Sequence, residues 1–196
     1  FKLDRKQVNM RRNGTTFLVH VCNSYNLLPV NNYKYTCHPE YHKVDSPVWE
    51  RLFTQKLPDG CWYGCSLQCA KAVDGFELKT GPYKGDRVCV DGPEYETVGG
   101  VGTNCGIFDP YAIAECNFYC DTYGLDTVSF GTACAFVMEC YERGILNRER
   151  TGGLELNFGN VEAQLELLHR VSRGEGFGRI FGMGIKRMKD YFVKEF

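Results

Sequence analysis

"DPYAIAECNFYCDTYGLDTVSFGTACAFVMECYERG", residues 109–144, carries two helices with their punctuation intact. Asp109 suits a helix cap, Pro110 suits the first helical position, where its missing N–H costs no hydrogen bond, and Gly124 suits the left-handed residue that stops a helix. From Asp126 the stretch turns mostly apolar, which marks a buried helix, and it closes at Gly144. Long helices joined by a short corner predict a mainly α, multihelical protein.

The same grammar continues outward. "SPVWERLFTQKLPDG" (46–60) offers Ser46 as cap and Pro47 at the first position, and its helix must stop before Pro58-Asp59-Gly60. "NVEAQLELLHRVSRGEG" (160–176) puts Val161, Leu165, Leu168 and Val171 on one helical face and ends near Gly174. "GFGRIFGMGIKRMKDYFVKEF" (176–196) reads as a last helix despite its early glycines. Between these, "DGFELKTGPYKGDRVCVDGPEYE" (74–96) is rich in Gly and turn residues and predicts a short hairpin. An irregular segment therefore interrupts the helices next to the cysteine-rich "CWYGCSLQC" (61–69).

The chain has 196 residues and is 43% hydrophobic, enough for one well-buried domain spanning 1–196. Its 23 basic and 24 acidic residues are scattered, with no basic stripe carrying interleaved aromatics, so nucleic acid is not an expected partner. No stretch approaches the roughly 20 apolar residues of a membrane span, and "FKLDRKQVNM" lacks a signal-peptide core. A cytoplasmic protein is expected. The start at Phe1 and the end at Phe196 fit a piece of a longer polypeptide as well as a mature protein. Eleven cysteines, an odd number in a chain rich in core residues, point to metal or cluster ligation by some and buried thiols elsewhere.

Three constellations carry chemistry. Cys61, Cys65 and Cys69, flanked by Gly60 and Gly64, can bring three thiolates to one point, and thiolates suit iron in clusters and also zinc. A second close pair with zinc-finger spacing is absent. In "DGPEYET" (91–97), Gly92-Pro93 sets a turn, after which Glu94 and Glu96 serve either as solvated first-turn carboxylates or, in a dry pocket, as acid or base. In "CDTYGLD" (120–126), Asp121, Gly124, Leu125 and Asp126 form either an ordinary helix-to-helix corner or a ligand grip. In the second case the glycine admits close approach and an aspartate accepts paired hydrogen bonds from an amino-pyrimidinone edge.

In this order, "CWYGCSLQC", "GPEYET" (92–97) and "DTYGLD" (121–126) running into "AFVMECYERG" (135–144) resemble the second, helical domain of the tungsten-containing aldehyde ferredoxin oxidoreductase family. The resemblance runs from "NGTTFLVHVCNSYNLLPVNNY" (13–33) to the last helix. It implies N- and C-terminal partner domains beyond these residues. It implies Cys61, Cys65 and Cys69 as three ligands of a [4Fe-4S] cluster, the fourth lying in the third domain. It further implies Asp121, Gly124, Leu125 and Asp126 as the grip on one pterin of a tungsten, or molybdenum, bis-pterin, and Glu96 as the carboxylate beside the metal. The loop Trp62-Tyr63-Gly64 holds one residue more than the best-known members place there.

The activity implied is oxidation of a small aldehyde to a carboxylic acid, with electrons leaving through the cluster to ferredoxin or a similar carrier. A homo-oligomer is compatible with the resemblance. Phe118 stands where a helical histidine partner of Glu115 would be sought, so no bridging metal is expected there. The alternative is a non-catalytic iron-sulfur or zinc module for electron transfer or partner binding, which Cys89 or Cys105 would favour by completing a closed metal site.

Overall fold

The computed structural model describes residues 4–54 and 60–196. Among these there are nine α-helices and a single two-stranded sheet, so the protein is mainly α, as expected. The helices are α1 (Arg5–Asn13), α2 (Leu18–Ser24), α3 (Ser46–Leu52), α4 (Tyr95–Thr97), α5 (Pro110–Tyr123), α6 (Thr127–Glu142), α7 (Val161–Arg173), α8 (Phe177–Phe181) and α9 (Ile185–Glu195). No helix among the described residues is long and apolar enough to cross a membrane.

The helix punctuation in 109–144 folds as read. The Asp109 carboxylate accepts from Tyr111 N–H at 2.8 Å, Pro110 opens α5, and Gly124 ends it in the left-handed region at φ 69°. Asp126 caps α6 by accepting from Ser129 N–H at 2.7 Å, and Gly144 follows the helix at φ 74°. Helix α7 ends at Gly174, also left-handed. Two readings change. The cap of α3 is Asp45, whose carboxylate accepts from Ser46 N–H at 2.7 Å, so Ser46 is already inside the helix. The last helix is two: α8 stops at Phe181, and Gly182-Met183-Gly184, with Gly184 at φ 81°, turns the chain before α9. Pro58 and Asp59, expected to stop α3, lie outside the described residues.

The expected hairpin is β1 (Ala72–Glu77) against β2 (Arg87–Asp91), antiparallel, with Val73 opposite Val90 and a register shift between Val73 and Phe76. Its connecting loop is fastened to the helices by Glu115. This carboxylate is only 3% exposed, and its Oε1 accepts from Lys79 N–H, Thr80 N–H and Thr80 Oγ1 at 3.0, 2.6 and 2.7 Å. Such donors offset the cost of burying a carboxylate. Thr80 Oγ1 also lies 2.9 Å from His169 Nε2, and His169 Nδ1 lies 2.9 Å from Tyr123 OH, which ties α5, α7 and the hairpin loop together.

The core runs through α5, α6 and α7 and includes Ile113, Tyr119, Val137, Met138, Leu167 and Leu168. After α4 the chain passes through a π-helical turn, Val98–Gly102, against which α6 packs. Gly131 permits this approach: a Cβ there would lie 2.3 Å from the Gly100 carbonyl carbon. Cys105, Cys116, Cys120 and Cys134 are buried in the same region and behave as small apolar residues. Burial and the neighbouring Cys134 push the Cys105 thiol well above its usual range, which keeps it protonated. The Cys105 Sγ donates to the carbonyls of Gly100 and Gly131 at 3.5 Å.

Candidate functional site

The cysteine loop precedes β1. Its first thiol, Cys61, is exposed, while Cys65 and Cys69 are half-buried. The residues between Cys61 and Cys65 form a turn closed by Cys65 N–H on the Trp62 carbonyl at 3.2 Å, with the Trp62 and Tyr63 side chains exposed. From the N-terminal side, Arg11 Nη1 donates to the Ser66 carbonyl at 2.6 Å and pins the loop to α1. Backbone N–H groups of Gln68 and Leu67 hold the Cys65 thiol below its usual pKa, the condition that makes a thiolate available as a donor. Cys69 is shifted upward, by burial first and then by the negative charge of Glu94. Among the described residues no three Cys, His, Asp or Glu side chains are gathered as a ready metal-ligand group. The donor chemistry of the loop therefore suits a soft metal or cluster, while its three thiols are not drawn together.

The acidic turn follows β2. Gly92 N–H donates to the Lys71 carbonyl at 2.7 Å, which carries the chain from the hairpin into Pro93 and Glu94. Glu96, the carboxylate singled out by the family resemblance, sits in α4 and is exposed. Glu94 just before it is half-buried, and burial raises its pKa above the ordinary carboxylate range, while the hydrogen bond from Thr15 pulls in the opposite direction. Glu96 and Asp91 raise it further, and the buried Lys71, 3% exposed, lowers it. Lys71 Nζ donates to the Ala70 carbonyl at 2.9 Å.

The third element is the corner between α5 and α6. Asp121 is exposed to solvent, and desolvation by the atoms packed around it, followed by the charge of Asp91, raises its pKa. Asn117 Nδ2 reaches Asp121 Oδ2 at 3.2 Å. A Cβ at Gly124 would meet nothing within 4 Å, so open space adjoins this backbone. Leu125 packs against the core, and its N–H donates to the Cys120 carbonyl at 2.8 Å. Asp126 is committed to its cap, and the Ser129 side chain and N–H hold its pKa low.

The three constellations are neighbours, since Gly14-Thr15 touches both the Cys69 carbonyl and Glu94 and Asn117 joins Asp91 to Asp121. Cys69 feels Glu94, Glu94 feels Asp91 and Glu96, and Asp121 feels Asp91. Cys89 is exposed on β2 and Cys105 is held in the core by the two carbonyls, so neither sits in a closed ligand group among the described residues. Thr15, Lys71 and Asn117 join the site only in three dimensions. Glu94 had a signal, since it shares the motif of Glu96, but nothing local says which of the two is buried.

A family model described as "Aldehyde ferredoxin oxidoreductase, domains 2 & 3" matches residues 2–195. The chain belongs to the aldehyde ferredoxin oxidoreductase family. A tungsten-containing aldehyde ferredoxin oxidoreductase of Pyrococcus horikoshii is 32% identical over 187 residues, covering 91% of this chain and 28% of the relative. From Pyrococcus furiosus, a protein named "Aliphatic sulfonate oxidoreductase, WOR-like subunit" is 41% identical over 125 residues, covering 64% of this chain and 19% of the relative. The chain thus spans under a third of the length of these relatives. In fold it resembles a chain of the active-site complex BamBC of benzoyl coenzyme A reductase, with TM-score 0.63 and 19% identity over 94% of this chain and 25% of that one.

Proposed function

We propose that this chain is the cysteine-loop and pterin-side portion of a tungsten-dependent oxidoreductase that oxidises small aldehydes to carboxylic acids and passes the electrons to ferredoxin or a similar carrier. The observation that carries this reading is that hydrogen bonds and close backbone contacts bring the three motifs together, Gly14-Thr15 joining Cys69 to Glu94 and Asn117 joining Asp91 to Asp121, in a chain of this family. Cys61, Cys65 and Cys69 would hold a [4Fe-4S] cluster, and Asp121 with the open backbone at Gly124 would hold one pterin. When bound, a tungsten, or molybdenum, bis-pterin supplies two-electron chemistry and a cluster carries electrons onward.

The chain's own residues contribute positioning and proton handling. Backbone N–H groups stabilise the Cys65 thiolate. Asp121 offers a carboxylate edge to a hydrogen-bonding ligand, while Asn117 orients it. Glu96, exposed here on the face that partner domains would cover, is the base that accepts a proton from water or substrate. Glu94, two residues before it and held by the Thr15 hydroxyl, has its pKa raised by burial and then by the charge of Glu96.

Glu96→Gln in the full-length polypeptide tests the reading. Turnover is expected to fall by roughly two or more orders of magnitude with metal content intact. Unchanged turnover overturns it. A second reading, an aliphatic sulfonate in place of the aldehyde, draws on the 41% identity to the P. furiosus sulfonate oxidoreductase subunit. Parallel assays with aldehydes and aliphatic sulfonates separate the two.

A further inference from the structure

Thr15 is remote in sequence from every motif, yet its hydroxyl makes two hydrogen bonds inside the candidate site. Its Oγ1 donates to Glu94 Oε2 and accepts from Tyr95 N–H at 2.7 Å, bridging 79 and 80 positions of sequence. The preceding residue touches the other side of the site. Gly14 sits at φ 70°, and a Cβ there would lie 3.2 Å from both the Cys69 carbonyl oxygen and Lys71 Cγ. Gly14-Thr15 is thus wedged between the end of the cysteine loop and the start of the acidic turn.

The acidic turn needs such a brace. Helix α4 runs straight into the π-helical turn, and at its N-terminus the Glu94 side chain makes no cap hydrogen bond. A short helical segment depends on tertiary partners for the amides at its start. Tyr95 N–H is one of the amides that a helix start leaves without an intrahelical partner, and Thr15 supplies that partner from outside. The same hydroxyl, by donating to Glu94, fixes the side chain that neighbours Glu96.

We propose that Thr15 is a positioning residue for the reaction: its hydroxyl, clamped between Tyr95 N–H and the Glu94 carboxylate, fixes the turn that presents Glu96, while Gly14 sets the distance of that turn from Cys69. This rests on the reading of Glu96 given above. The clamp needs a hydroxyl and tolerates loss of the methyl group, so Thr15→Ser retains it and the near-isosteric Thr15→Val removes it.

The test uses the full-length, metal-loaded polypeptide and two readouts. In Thr15→Val, kcat falls roughly ten- to a hundredfold with KM and metal content unchanged, because a misplaced group costs rate more than binding. Thr15→Ser restores kcat. Independently of activity, amide exchange at Tyr95 becomes about tenfold faster in Thr15→Val and stays at the wild-type rate in Thr15→Ser. Exchange in α5 and α6 is followed in the same samples and remains unchanged. Wild-type kcat and wild-type Tyr95 exchange in Thr15→Val overturn the proposal. So does fast exchange throughout α5 and α6, or an equal effect of Ser and Val, since either makes Thr15 a packing residue. If Glu96→Gln is silent while Tyr95 exchange still responds to Thr15→Val, the clamp stands and the role given to Glu96 falls.

Discussion

Asn117, buried in α5, donates from Nδ2 to the Asp91 carbonyl at 2.7 Å, and the same nitrogen reaches Asp121 Oδ2 at 3.2 Å. One amide therefore joins the end of β2, where the acidic turn begins, to the corner assigned to pterin. Asn117→Leu keeps the size of the side chain and removes the donor. It is expected to destabilise by about 1 to 2 kcal/mol, read as a lower unfolding midpoint, and to raise the Asp121 pKa further. An unchanged midpoint would make this link incidental.

Cys65 and Cys134 separate ligand from packing. Cys65→Ala is expected to abolish cluster binding, measured as loss of iron and labile sulfide. Cys134 is fully buried on α6, so Cys134→Ala leaves iron in place and changes stability only through packing. Equal iron loss in the two variants would remove Cys65 from the ligand set.

His169 gives the fold a pH dependence of known sign. Burial lowers its pKa below the ordinary 6.5, with Glu166 and Glu115 pulling upward and Arg173 downward. The unfolded chain therefore takes up a proton before the folded one does. Stability is full above about pH 6.5 and falls as pH drops toward the folded pKa. His169→Gln is expected to be less stable at about pH 8 but to lose less on going to about pH 5.5. Parallel pH curves for the two proteins would contradict this.

Gly131 lets α6 approach the π-helical turn closely. Gly131→Ala must displace the backbone at Gly100, since a Cβ would stand 2.6 Å from its carbonyl oxygen. A loss of about 1–3 kcal/mol is expected from such overpacking, read from the unfolding midpoint. Because the π-helical turn follows α4 directly, a fall in turnover should accompany it.

What the sequence made legible was local. Asp109, Pro110, Gly124, Asp126 and Gly174 act within one turn of their own positions, so their meaning survives without a structure. Asp45 and Ser46 are both good caps, and only the bond actually formed decides between them. The early glycines of 176–184 are visible in the sequence, but not which of them breaks the last helix into two. At the candidate site, the motifs pointed to Cys61, Cys65, Cys69, Glu96, Asp121, Gly124, Leu125 and Asp126. They could not supply Thr15 or Asn117, whose bonds to Glu94 and Asp91 cross 79 and 26 positions and leave no periodic trace. Nor could they show that Glu94 is the more buried member of the pair, since nothing in "EYE" distinguishes the two carboxylates.

The central claim is that the cysteine loop and the corner at Asp121 belong to a cluster- and tungsten-bearing enzyme. Metal and sulfide analysis of the anaerobically purified full-length polypeptide tests it most directly. About four irons with labile sulfide per chain, together with tungsten or molybdenum, are expected. Zinc alone, or no metal at all, would contradict it.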